Sequence, residues 1–152
     1  DLLSKNEGLF YKLIDQRNME YSLFHIFQLK AKYEEDPVSK AVYEKIRNDS
    51  LVHKVIIEHA IRALGREVTE PVMLKVLNYD PATMKKEEAS MEEVEDALEE
   101  LEAISATYFI IMAERFPDPS FSRLFKTIHD DEEVHRSLLK DLRARREILK
   151  AR

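Results

Sequence analysis

The sequence states one pattern twice. Asp36-Pro37, Val42-Tyr43, Ile46, Asp49, Val52 and His53 recur 82 residues later, without a gap, as Asp118-Pro119, Leu124-Phe125, Ile128, Asp131, Val134 and His135. The same offset pairs Glu20 with Glu102 and Phe27 with Phe109, so each half holds a Glu, a helix-breaking Asp-Pro and a His 33 residues after that Glu. A fold that accommodates this must relate its halves by near-symmetry. The agreement fails at one chemically important position. Glu132 stands three residues before His135, and its counterpart is Ser50.

The periodicity of both halves is helical. Phe10, Leu13, Arg17, Glu20, Phe24, Phe27 and Ala31 advance by threes and fours, the stripe of a packed helix from about residue 6 to residue 35, stopped by Asp36-Pro37. Val42, Ile46, Asp49, His53, Ile56 and Ala60 form the stripe of a second helix that ends at Gly65 with a glycine cap. Ser90-Met91-Glu92-Glu93 reads as the capping box of a third helix carrying Val94, Leu98, Leu101, Ala106, Phe109 and Met112, ended by Pro117 and Pro119. The fourth carries Leu124, Ile128, Glu132, His135, Leu138, Leu139 and Leu142 into the tail. Between the pairs, residues 66–89 are interrupted by Pro71 and Asp80-Pro81, and the apolar run Val72 to Leu77 suggests a short helix, the alternative being a strand that would have no partner. Two tight hairpins and one long crossover describe an all-α four-helix bundle, with repeat halves at about 6–65 and 90–145.

Only two glycines occur and 36% of residues are charged, a composition that supports long helices. The 152 residues suit one domain able to bury a core, residues 1–152. No apolar run reaches the length of a membrane span, and Asp1-Leu2-Leu3-Ser4 lacks the basic-then-apolar order of a secretory signal, so a cytoplasmic protein is expected. The absence of cysteine excludes disulfides, thiol catalysis and thiolate-bound iron–sulfur chemistry in this chain. A net charge of −6 argues against nucleic acid as the main partner. The acidic stretch Glu87 to Glu102 and the basic tail Arg143 to Arg152 read as a solvated face and a helix end that complements its dipole.

Glu20 lies on the same stripe as Phe24 and Phe27, and Glu102 is next to Leu101. A carboxylate facing a core costs several kcal/mol unless it is paired or bound to metal. Glu132 and His135, three apart on one helix, can reach one ion, and His53 takes the equivalent place on the second helix. Three carboxylates and two imidazoles thus converge on one level of the bundle. Oxygen and nitrogen donors without sulfur suit iron, manganese or zinc. A lone Glu-x-x-His is a weak signal; the repeat strengthens it by supplying Glu20 and His53 independently. The competing readings are salt bridges from Arg17 or lysines to the two glutamates, and core histidines donating to carbonyls. His25, His59 and His129 have no repeat partners and read as surface or packing residues.

Glu20, Ser50-Leu51-Val52-His53, Glu102 and Glu132-Glu133-Val134-His135 together resemble the ferritin-like, rubrerythrin-type carboxylate bundle, across nearly the whole chain. In that family helices one and three each contribute a Glu, and helices two and four each a Glu-x-x-His. The resemblance implies Glu20, His53, Glu102, Glu132 and His135 as iron ligands, with Glu132 bridging. Glu99, one turn before Glu102, would be a further glutamate on helix three. It also implies a non-haem iron oxidoreductase acting on peroxide or dioxygen, cytoplasmic, with an external electron-donor protein, because rubrerythrin's four-cysteine domain is absent. Tyr108 is a candidate hydrogen-bond donor to a ligand carboxylate. Asp49 is a candidate for holding a ligand His of another helix. It substitutes poorly for a glutamate at Ser50, since one residue turns a helix by about 100°.

Ser50 brings neither charge nor a good ligand, so one ion is expected to bind firmly and a second loosely. The alternative functions are iron sequestration without turnover, or a helical scaffold whose site has decayed. The short tail after the fourth helix disfavours a ferritin cage. An apolar stripe left over on the long first helix suggests a homodimer.

Overall fold

The computed structural model describes residues 2–76 and 78–152, with side chains from residue 7 onward. Four long helices carry the fold: α1 (Leu2–Tyr33), α2 (Pro37–Ala63), α4 (Glu92–Arg115) and α5 (Pro119–Lys150), with a single-turn α3 (Lys86–Ala89) before α4. α1 packs chiefly on α2 and α4 on α5, so the two hairpins of the repeat are the two halves of the bundle. The first helix starts earlier than its apolar stripe implies, at Leu2 rather than near residue 6.

The repeated Asp-Pro opens a helix in each half. Asp36 accepts a hydrogen bond from Ser39 N and Asp118 from Ser120 N, and each following proline occupies the first turn, where a missing N–H costs nothing. α2 closes with Gly65 at φ 75°, its N–H bonded to Arg62 O and the next N–H, of Arg66, to Ile61 O. These paired bonds satisfy two carbonyls left over at the helix end. The capping box expected at Ser90 does not form. Ser90 ends α3, and α4 begins beyond it at Glu92 without a side-chain cap.

The segment from Val72 to Val76 is extended rather than helical, and Leu77 lies outside the described residues. The reason lies on α1. Asn18 Oδ1 accepts from Val72 N, and Ser22 Oγ accepts from Leu74 N, so side chains of α1 pin alternate N–H groups of the segment along that helix. Arg17, fully buried, donates to Thr69 O, to Thr69 Oγ1 and to Glu58. Lys30 Nζ donates to Ala89 O at the far end of the crossover. A polar ridge on α1 therefore straps the connection along the bundle.

The buried face of α2 is rotated from the expected stripe. Tyr43, Ile46, Ser50, His53, Ile57 and Ala60 are inside, with Asp49 at the rim. On α5 the buried residue is likewise Phe125, not the exposed Leu124. Two apolar clusters result, one at each end of the bundle. Leu13, Ile57, Phe109, Phe125 and Ile128 belong to one, and Leu23, Phe27, Ile46, Leu98 and Leu139 to the other.

Candidate metal centre

Between the two apolar clusters lies a polar layer. Glu20 of α1, His53 of α2, Glu102 of α4, and Glu132 and His135 of α5 are each at most 1% exposed. They form two groups, Glu20–His53–Glu132 and Glu102–Glu132–His135, in each of which the donor atoms lie within 4.8 Å of one another. Glu132 belongs to both. The five residues singled out in the sequence thus meet in space, each carried by a rigid helix.

Both imidazoles are oriented by carboxylates from the opposite hairpin. His53 Nε2 is 2.8 Å from Asp131 Oδ2 on α5, and His135 Nε2 is 2.8 Å from Asp49 Oδ2 on α2. Asp49 and Asp131 are themselves repeat mates, so the two contacts mirror each other and tie α2 to α5. A carboxylate can only accept, so Nε2 carries the proton and Nδ1 faces the layer. His53 Nδ1 lies 3.0 Å from Glu132 Oε1 and 3.6 Å from Glu20 Oε2; His135 Nδ1 lies 3.3 Å from Glu102 Oε2 and 3.9 Å from Glu132 Oε2. The rings stand 6.1 Å apart, nearly parallel at 26°.

The charges are those of a site that holds protons when it holds nothing else. Burial opposes a charged imidazole, but the bond to Asp131 and the nearby charge of Glu20 outweigh it and raise His53 to about 10. His135 is raised to about 9 by Asp49 and Glu102, again against burial. Burial pushes the Glu102 carboxyl above the usual range. Asp49, though burial works the other way, is held at about 2 by His135 and Lys45.

The remaining candidates fall elsewhere. Asp49 holds His135 and is paired with Lys45 at 2.6 Å, both through Oδ2, and it belongs to neither donor group. Ser50 is inside, 1% exposed, at the register of Glu132. Glu99 pairs with Arg143 and Lys140 on the surface of α5, away from both groups. Tyr108 is half-buried, its phenol pushed up by burial and by Asp15 rather than engaged with a ligand carboxylate. Arg17 serves Glu58 and the crossover, so the salt bridge to Glu20 considered in the sequence does not form. His129 bonds Ala106 O and His25 packs edge-on to Tyr21 and Phe24. Two polar residues were missed in the sequence. Gln16 donates to Glu20 Oε1 at 3.4 Å and to Ser105 Oγ at 3.1 Å, holding the carboxylate's other oxygen outward. Its place one helical turn before Glu20 was the available signal.

The donor set fits metal on its own chemistry. Glu20 Oε2, His53 Nδ1, Glu102 Oε1 and both Glu132 oxygens are buried without a hydrogen-bond partner, since the His53–Glu132 approach is off the angle a hydrogen bond needs. Buried polar atoms are almost always satisfied, and a cluster of orphans converging on two points calls for cations. The family model described as Rubrerythrin matches residues 14–143. The chain belongs to the rubrerythrin family. It is an all-α, ferritin-like bundle, and rubrerythrins are di-iron carboxylate proteins that typically bind iron. Neither the curated proteins nor the solved structures gave a significant match. Among the described residues no helix is long and apolar enough to cross a membrane.

Proposed function

We propose that this chain is a di-iron redox protein that reduces peroxide or dioxygen. The observation that carries the reading is the pair of buried donor groups sharing Glu132, each with its imidazole aimed by a carboxylate of the opposite hairpin. In this reading Glu20, His53 and Glu132 hold one ion, and Glu102, His135 and Glu132 the other. Bound iron would supply one-electron redox steps and Lewis acidity toward an O–O bond.

The protein's part is to bind, orient and exclude water. Asp131 and Asp49 each hold an Nε2–H and so point Nδ1 inward, which raises its basicity toward a cation. Gln16 leaves Glu20 one oxygen for the centre. The two apolar clusters above and below keep the layer dry, so charges in it interact more strongly than in water. Three protein donors per ion leave positions for a small oxidant.

Ser50 sharpens the expectation of unequal affinity. Only Glu132 is common to both groups, so it alone would be shared by two ions. The first ion binds firmly and the second loosely. Electrons for turnover come from a donor centre outside these 152 residues, which contain no cysteine. A homodimer, the proposed assembly, would draw on α2, where Leu51, Val52 and Val55 are exposed; among the described residues of α1 only Tyr11 is a large exposed apolar side chain.

The test is anaerobic loading of the apo protein with Fe(II), followed by peroxide and a reductant. Repeated oxidation and re-reduction, lost in His135→Ala, is the expected result. Uptake of many irons per chain without turnover would favour sequestration. No uptake, with a melting temperature indifferent to Fe(II), would reduce the bundle to a scaffold.

A further inference from the structure

The repeat mate of Glu132 is a serine, and the charge around it does not close. Two divalent ions carry +4 and Glu20, Glu102 and Glu132 carry −3, leaving +1 in a layer whose donors are at most 1% exposed. Asp49 and Asp131 sit at the rim, 25% and 38% exposed, where water screens them, and Lys45 offsets Asp49. A net charge buried without a partner is strongly disfavoured. Among the described residues no further carboxylate joins the two donor groups. Glu99 is taken by Arg143 and Lys140, and Asp49 by His135 and Lys45.

What Ser50 lacks can be stated atom by atom. Beyond Cβ, glutamate carries a methylene and a carboxylate, and serine carries a hydroxyl. The difference is the heavy-atom skeleton of acetate less one oxygen. Ser50 is 1% exposed, three residues before His53 as Glu132 is three before His135, so the position faces the layer. Its counterpart Glu132 presents two buried oxygens with no hydrogen-bond partner.

Resting on the di-metal reading above, we infer that the Ser50 position takes an exogenous O–C–O monoanion, of the formate, acetate or bicarbonate class, in place of the carboxylate that the second helix does not supply. The anion removes the surplus charge and adds oxygen donors beside Glu132. It sets how firmly the second ion is held, so occupancy of the centre depends on a small anion in the medium. The serine hydroxyl remains beside it as a hydrogen-bond donor.

The experiment uses Co(II), which avoids redox chemistry, titrated into the full chain by calorimetry in a non-coordinating, chloride-containing buffer, with visible absorption read in parallel. Separate arms add millimolar formate, acetate or bicarbonate, and Ser50→Glu and Ser50→Ala are carried alongside. In the unaltered chain an anion in about tenfold excess over its own dissociation constant strengthens the second Co(II) step about tenfold and changes the Co(II) spectrum. Ser50→Ala keeps that response, and Ser50→Glu binds two ions without added anion and ignores it. Comparison of the three arms shows whether a carboxylic acid or bicarbonate is the better occupant. Two Co(II) steps indifferent to all three anions in the unaltered chain overturn the inference while leaving the di-metal reading intact, and that arm decides even if Ser50→Glu fails to fold. An anion response of equal size in folded Ser50→Glu also overturns it. Failure of Co(II) to bind at all sinks the di-metal reading, and this inference with it.

Discussion

At the end of the bundle where α4 starts and α5 finishes, Glu95 is 2% exposed and receives Lys30 at 3.2 Å, the Tyr43 hydroxyl and Arg146. The repeat mates of these four are Met112, Phe125, Leu13 and Leu64, all in or against the apolar cluster at the opposite end. The molecule therefore contains its own apolar version of the same corner. Removing Glu95 alone, as Glu95→Leu, strands Lys30, which is 4% exposed and retains Ala89 O and the face of the Tyr43 ring but no counter-charge in contact. At an effective dielectric constant of about 20, unit charges 3.2 Å apart attract by about 5 kcal/mol, in line with the roughly 3–5 kcal/mol seen when one partner of a buried pair is deleted. Arg146 adds little, because a quarter of its side chain is exposed and can turn to water. Replacing the three buried groups by their mates, Lys30→Met, Tyr43→Phe and Glu95→Leu together, leaves no unpaired charge in the interior, Arg146 being able to turn to water, and is expected to be neutral to about 4 kcal/mol stabilising. Urea denaturation at pH 7 measures both, with midpoints compared at unchanged slope. Burial already lowers the Lys30 pKa, against the pull of Glu95. In the single variant that pull is gone, so its deficit should shrink as pH rises and Lys30 loses its proton. A triple variant no more stable than the single one would refute the reasoning, because the corner would then depend on its polar contacts and not on charge balance.

Four further outcomes follow from the site and its supports. Asp131→Asn, which removes the carboxylate from His53 Nε2 at a half-exposed rim, should weaken metal binding by about 10–100-fold, measured by Co(II) competition, with little change in the metal-free fold. For the metal-free protein, His53 and His135 are raised to about 10 and about 9, above the unfolded value of 6.5. Their contribution is therefore fully present below pH 6.5 and lost as pH climbs through 9 to 10, so chemical denaturation should show falling stability over that window. The same two imidazoles must give up Nδ1 protons to bind metal, so calorimetry in buffers of different ionisation enthalpy at pH 7.5 should report proton release on loading; none would contradict the ligand assignment. Gly65→Ala meets no neighbouring atom but must adopt φ 75°, and should cost about 1–2 kcal/mol in thermal or urea melts.

The basic tail and the acidic stretch of α4 show what remained illegible in the sequence. Read separately, they are a solvated face and a dipole complement. In the fold Arg143 pairs with Asp96 and Glu99, Arg146 with Glu95 and Lys150 with Glu92, because antiparallel helices bring the end of α5 beside the start of α4. The same partnership disposes of Glu99 as a ligand. Asp49 is a parallel case, since its value to the site depends on a contact with His135 across 86 residues of chain.

Periodicity, the Asp-Pro punctuation and the 82-residue offset were enough to determine an all-α bundle, its two hairpins, and the five residues that meet at its centre. These are local or periodic properties, and helical geometry carries them directly into space. Which face of α2 turns inward was decided only by packing, which buries Tyr43, Ser50 and Ile57 and leaves Asp49 at the rim. The crossover, the charged corner at Glu95 and the reciprocal Asp–His contacts also needed the tertiary structure. Each depends on which polar atom finds a partner on another element, and burial of a polar group is tolerable only once that partner is in place.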